Sequence, residues 1–199
     1  MSATAQETIP GYTYGTAAVG RSPITLDAFA DMQRSVLFGP EDERALRQAG
    51  EVLADQVEAV LDVWYGFVGA NPHLAFYFGD GHGHLNSEYL NRVRRRFGQW
   101  IIDTCTRPYD QAWLDYQHEI GLRHTAAKKN QTDQVQAVPV VHMRYIITFI
   151  YPITATIRPF LAARGHSPAE VEAMFNAWFK AVALQAALWC APYVAPADY

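Results

Sequence analysis

The sequence predicts an all-α fold, and three observations carry that expectation. Apolar residues recur at helical spacing in nearly every segment beyond residue 22. Caps, first-position prolines and terminal breakers punctuate those segments, and strand-like alternation is absent. Half of the 199 residues are hydrophobic and 13% are aromatic, enough for one large core and short for two domains.

The first 22 residues, with Pro10, Gly11, Gly15 and Gly20, read as an extended loop. Leu26, Phe29, Met32 and Val36 suggest a short leading helix. Pro40, followed by Glu41, Asp42 and Glu43, opens the next one, because proline lacks an N–H that the first turn does not use and acidic groups suit its dipole. That helix is expected to bend or break near Gly50, before the stripe Val57, Val60, Trp64, Tyr65 and Val68. A glycine-rich loop spans 79–84. Asn86 or Ser87 then caps a helix carrying Leu90, Val93, Phe97, Trp100 and Thr104, which Arg107-Pro108 ends. The following helix carries Trp113, Tyr116, Ile120 and His124, and Lys128 to Asp133 reads as a polar loop. A long apolar helix is expected over about 139–163. Ser167, Pro168 and Glu170 open the last helix as cap, first-position proline and acidic first turn. The expected total is seven to nine helices.

Sixteen basic against twenty acidic residues give a net charge of -4, a balance that offers no field for nucleic acid or an anionic membrane. The longest apolar stretch, 145–157, contains Pro152 and falls short of the ~20 residues that span a bilayer. Two distant cysteines and a polar start without an apolar signal core predict free thiols in a cytoplasmic protein.

Among seven histidines, His124 stands out. Eleven residues after Trp113, it falls within about 20° of that face, whereas His118 lies about 140° away and is expected to face solvent. An imidazole that continues an apolar stripe is either a satisfied core histidine or an axial ligand to a buried metal cofactor. His82 and His84 with Asp80 read as a solvated turn, having no third ligand of fixed geometry. Tyr65 lies on an inward stripe, where a buried phenol either bonds a backbone carbonyl or donates into a pocket. Val93 and Phe97 supply a facing apolar wall with Arg96 at its edge. No nucleophile motif, phosphate-binding glycine loop or inward carboxylate pair is present, which argues against hydrolases, kinases and dinucleotide enzymes.

Seven ordered segments resemble those of protoglobins along nearly the whole chain: Ile9-Pro-Gly-Tyr-Thr-Tyr-Gly15, Trp64-Tyr-Gly-Phe-Val-Gly69, Arg94-Arg-Arg-Phe97, Tyr109-Asp-Gln-Ala-Trp-Leu-Asp-Tyr116, Ile120-Gly-Leu-Arg-His124, Lys128-Lys-Asn-Gln-Thr-Asp133 and Phe149-Ile-Tyr-Pro-Ile-Thr-Ala-Thr156. The resemblance implies a globin fold with an N-terminal loop and an additional leading helix. Residues 1–22 would form an extension covering the haem edge, and 23–199 a single globin domain. In globin terms, 50–69 looks like the B helix, 86–105 E, 110–126 F, 137–163 G and 167–190 H. By position, His124 matches the proximal ligand of haem iron. Trp64, Tyr65 and Phe97 match distal residues, and Val93 stands where many globins place a distal histidine. Ile146, Phe149 and Ile153 match residues that pack on the haem, and Arg96 looks like a propionate contact. Trp64 also carries an N–H and competes with Tyr65 as a distal donor. The chain departs from the commoner pattern at His118, where an aromatic is usual, and at Ala126-Ala127.

The family is understood to bind oxygen, carbon monoxide and nitric oxide at a five-coordinate haem iron and to form homodimers through the G and H helices. The implied cofactor is haem b, since no Cys-x-x-Cys-His attachment motif exists. The implied function is gas sensing, storage or scavenging. The alternative is a haem enzyme with nitric oxide dioxygenase, peroxidase-like or carbene-transfer chemistry in the same pocket. The chain stops at Tyr199, so no signalling module is expected in cis, and His124 disfavours a haem-free globin module.

Overall fold

A computed structural model describes residues 8–199; the start of the N-terminal extension, residues 1–7, lies outside the described residues. After an irregular strap come α1 (Leu26–Ser35), α2 (Pro40–Leu53), α3 (Val57–Ala70), α4 (Pro72–Ala75), α5 (Ser87–Thr106) and α6 (Gln111–Leu122). They are followed by α7 (Lys129–Asp133), α8 (Met143–Thr148), α9 (Ile150–Ala155), α10 (Arg158–Leu161) and α11 (Pro168–Cys190). The fold is all-α; among the described residues the one strand-like feature is an isolated bridge between Gly79 and Leu85.

The helix starts follow local chemistry. Thr25, Asn86, Asp110 and Ser167 each accept a backbone N–H of the first turn through their side chains, at α1, α5, α6 and α11. Ser167 and Glu170 complete a reciprocal capping box. At α2, where the cap is Gly39, the Asp42 carboxylate accepts the Gly39 N–H at 2.9 Å.

Four expectations fail. The helix that starts at Pro40 continues through Gly50 to Leu53, so the break falls at residues 54–56. Gly50 marks a close crossing instead, since a Cβ there would lie 2.9 Å from the Cys105 Cβ. Helical segments exceed nine, because 139–163 is not one helix. Residues 137–142 are irregular, with bends at Ala137 and Pro139 and the Val138 and Val141 N–H groups bonded to the Gly79 and His124 carbonyls. From Met143 the segment breaks near Phe149 and again at Thr156. Pro152 and Pro159 lack the N–H that would bond a carbonyl four residues earlier, and their rings crowd it. Lys128–Asp133 is not simply a polar loop: it contains α7, whose Lys129 and Asp133 are buried. Met143–Arg164 taken together spans 22 residues and contains an 18-residue window of mean hydropathy 1.5, 28% of it buried, which by length and composition alone suffices to cross a membrane.

The core gathers around Trp64, Trp113 and Trp178, each at most 1% exposed, with α2 packed broadly on α5 and α11. A fully buried Leu or Phe stabilises by roughly 1.5–3 kcal/mol, so such a core holds the helices that frame the site. Gln185, fully buried on α11, accepts from the Trp100 indole at 2.6 Å and donates to Thr104 at 3.2 Å, which satisfies polar atoms beneath the cavity.

Candidate functional site

One cavity of about 250 Å³ lies between α3, α5, the end of α6, α8–α9 and α11, roofed by Tyr12 and Tyr14 of the strap. Its size approaches the lower end of the roughly 300–1,000 Å³ typical of ligand pockets. All nine residues singled out in the sequence border it. Trp64, Tyr65, Val93 and Phe97 form one wall, and Ile146, Phe149 and Ile153 a second. His124 projects from the opposite side, and Arg96 stands at the rim.

His124 lies two residues beyond α6, not within it, in a turn where its N–H bonds the Gly121 carbonyl at 3.1 Å. Its Nδ1 lies 2.8 Å from the Ile120 carbonyl oxygen. A carbonyl only accepts, so Nδ1 carries the proton and Nε2 keeps a free lone pair. Nε2 has no hydrogen bond among the described residues. Burial pushes the ring's pKa down from 6.5 to about 4, so the imidazole is neutral at physiological pH. A neutral ring with one nitrogen anchored and the other presented to an apolar cavity has the donor chemistry of a metal ligand.

Tyr65 shows the opposite arrangement. Its ring is held between Phe97, edge-on at 6.3 Å, and Phe78, with the Arg94 guanidinium 5.5 Å from its centroid. Its hydroxyl has no hydrogen bond among the described residues. Burial raises its pKa, keeping the phenol protonated and able to donate. Trp64 does not compete, for its indole N–H is spent on the Thr156 hydroxyl at 2.8 Å, which in turn bonds the Pro152 carbonyl. That partner lies 92 residues away in sequence.

The rim is a set of buried ion pairs. Arg96 makes a two-pronged bond to Asp133, at 2.9 and 2.6 Å, and donates to the Pro10 carbonyl at 2.8 Å. Arg123 bonds Glu119 at 3.0 Å, the Gly11 carbonyl at 2.6 Å and the Thr13 hydroxyl at 2.8 Å. Tyr12 donates to the Asp103 carboxylate at 2.6 Å. The strap is thereby tied across the cavity. Sequence reasoning missed Asp133, Glu119, Arg123 and Lys129. The spacing of four between Lys129 and Asp133 and between Glu119 and Arg123 was the available signal, since such pairs share a helix face. Lys129 borders the cavity and donates to the Tyr77 carbonyl at 2.9 Å.

His118 requires a correction. It is half-buried, not solvent-facing, and its Nδ1 is buried without a partner among the described residues. It does not border the cavity. The 79–84 turn is organised by Asp80, which accepts the N–H groups of His82 and His84 at 2.7 and 3.3 Å and contacts the His84 ring at 2.9 Å. Among the described residues no group of three or more His, Cys, Asp or Glu could hold a metal ion.

No curated protein matches the chain. The match of residues 25–199 to the protoglobin family covers every α-helix of the fold and the nine cavity residues singled out in the sequence. That family implies a haem cofactor and a gas ligand, the chemistry for which the lone-pair nitrogen of His124 and its apolar surroundings are suited. The chain belongs to the protoglobin family.

Proposed function

We propose that this protein reversibly binds oxygen, carbon monoxide or nitric oxide on haem b held by His124, for sensing, storage or scavenging. The observation that carries the proposal is the His124 ring: neutral, anchored through Nδ1 on Ile120, with Nε2 unpartnered toward an apolar cavity. Iron in the bound haem supplies an open coordination position for a diatomic ligand. The chain's residues do the rest. Ile146, Phe149 and Ile153 pack against the macrocycle, while Trp64, Val93 and Phe97 keep water from the gas side. Tyr65 offers the hydroxyl there. Arg96, already paired with Asp133, meets a propionate as a held N–H donor, not as an unpaired charge. The described part of the N-terminal extension, residues 8–22, covers the haem edge ahead of one globin domain at 23–199.

The same reading assigns a homodimer. Ile147 and Tyr151 on α8–α9 and Phe179 on α11 are large apolar residues left exposed, with Tyr151 at 78%. A second copy packed on the G and H segments buries this face and accounts for the apolar composition of Met143–Arg164 without a membrane. Two free cysteines, one buried, suit the cytoplasm.

The test is an optical spectrum of the purified protein, reduced and then exposed to carbon monoxide. A shifted, intense Soret band is expected, together with pigment extractable by acidic organic solvent. A colourless protein that takes up no added haem would end the proposal.

A further inference from the structure

Because His124 lies past the end of α6, the helix ladder does not hold it. Its surroundings come from the far end of the chain. The Trp189 indole stacks on the His124 ring with centroids 5.5 Å apart and planes 21° from parallel. That indole is itself fixed, since its N–H donates at 2.8 Å to Gln117, a buried residue of α6. Three residues past α11, Tyr193 places its hydroxyl 3.0 Å from the His124 carbonyl oxygen and 2.6 Å from that of Val141. The His124 carbonyl also accepts the Val141 N–H at 2.8 Å. One phenolic proton shared between two carbonyls ties the His124 turn to the irregular segment before α8. The two helix ends meet at backbone distance: a Cβ on Gly121 would lie 3.1 Å from the Trp189 Cα and 3.2 Å from its carbonyl oxygen.

We infer that Trp189 and Tyr193 are positioning residues for His124, and that the C-terminal end of α11 sets the plane and tilt of the ring toward iron. The inference rests on the proposed haem ligation by His124. The Ile120 carbonyl fixes which nitrogen is presented, but one hydrogen bond leaves the ring free to rotate about it. Stacking by Trp189 removes that rotation, and Tyr193 holds the peptide from which the ring projects. Groups that orient a metal-bound imidazole typically govern metal affinity by 10–100-fold. Tyr193 acts on the backbone and not on the ring nitrogen, so its effect belongs at the lower end, about tenfold.

The test compares haem-loaded wild type, Tyr193→Phe, Trp189→Phe and the surface control Glu51→Gln, an exposed position of α2, in the reduced, ligand-free state. Resonance Raman reads the iron–histidine stretch, transfer of haem to excess apomyoglobin reads retention, and thermal unfolding of the haem-free proteins reads general stability. The Trp189 and Tyr193 variants are expected to move the stretch to lower frequency and broaden it, with about tenfold faster haem loss. Glu51→Gln should match wild type, and the haem-free unfolding temperatures should stay close together. A stretch and a loss rate unchanged in both the Trp189 and the Tyr193 variant would overturn the inference. Wild type lacking the stretch altogether would overturn the assignment of His124 as ligand, and with it this inference, which separates the two failures.

Discussion

On the His124 side of the cavity the functional ring hangs from an irregular turn and is immobilised by neighbours: Ile120 on one nitrogen, Trp189 on its face, Tyr193 and Val141 on its carbonyl. On the Tyr65 side the side chains sit on regular helices, and the polar atom that faces inward is left without a partner. Rigidity is supplied by contacts where the scaffold is irregular, and availability is left where the scaffold is already stiff. That division matches a site in which one side keeps a permanent bond and the other takes and releases a ligand.

The largest expected effect follows from removing the proposed iron ligand. His124→Ala deletes the protein's lone-pair donor, and haem retention should fall by more than the roughly 10–100-fold that the supporting groups command. Haem transfer to a competing acceptor measures it; a variant that keeps its haem as wild type does would show that the proximal side had been misassigned.

Next comes the rim that joins the two sides. Asp133 and Arg96 have side chains 2% and 13% exposed, and Asp133→Asn strands the guanidinium in a poorly hydrated place. Breaking such a pair costs about 3–5 kcal/mol, whereas exchanging both partners for apolar residues is close to neutral. Denaturant midpoints for the single and double variants should show that asymmetry. A mild single variant would mean that water reaches the rim.

Much of this arrangement is legible in the residue string. First-position prolines and caps located the starts of α2, α5 and α11, because those signals act within one turn. Helical spacing put Trp64, Tyr65, Val93 and Phe97 on inward faces, and family motifs supplied the haem chemistry that spacing alone left open. What escaped depends on partners distant in sequence. Trp64 looks like a free donor until Thr156 arrives from the G segment. Asp133 looks solvated until Arg92 and Arg96 of α5 meet it, and Lys129 until the Tyr77 carbonyl and the Tyr89 ring do. His118 looks exposed because a helical wheel has no knowledge of what packs beside the helix. Pro152 and Pro159 were visible, yet the apolar run between Met143 and Leu161 disguised three short helices as one.

Lys129 offers a smaller, pH-dependent contrast with the neutral His124 beside the same cavity. Burial lowers its pKa from 10.5 to about 8, against a raising contribution from Asp133. The folded state therefore loses the proton near pH 8 while the unfolded chain keeps it to about 10.5. Stability from this group is lowest below pH 8 and rises with pH through that window, by up to about 1.4 kcal/mol per pH unit. Lys129→Met should abolish that slope between pH 8 and 10, as read from urea midpoints. An identical slope in the variant would assign the pH dependence to other groups.

The smallest effect probes the open side directly. A diatomic ligand that gathers negative charge on binding, as oxygen does, gains from a hydroxyl donor in a water-poor cavity, whereas carbon monoxide stays nearly neutral. With Val93 unable to donate and the Trp64 N–H held by Thr156, Tyr65 is the donor that the wall leaves available. Tyr65→Phe keeps the ring against Phe78 and Phe97 and removes only the oxygen. A hydrogen bond of roughly 1–1.5 kcal/mol corresponds to about tenfold in rate. Oxygen should leave the variant about tenfold faster, with autoxidation accelerated and carbon monoxide release changed far less. Stopped-flow dissociation of both gases from both proteins decides the matter. Equal changes for the two gases would mean that the hydroxyl acts through packing. No change for oxygen would mean that an ordered water, not Tyr65, supplies the donor, and the contrast between a held side and an available side would lose its chemical content.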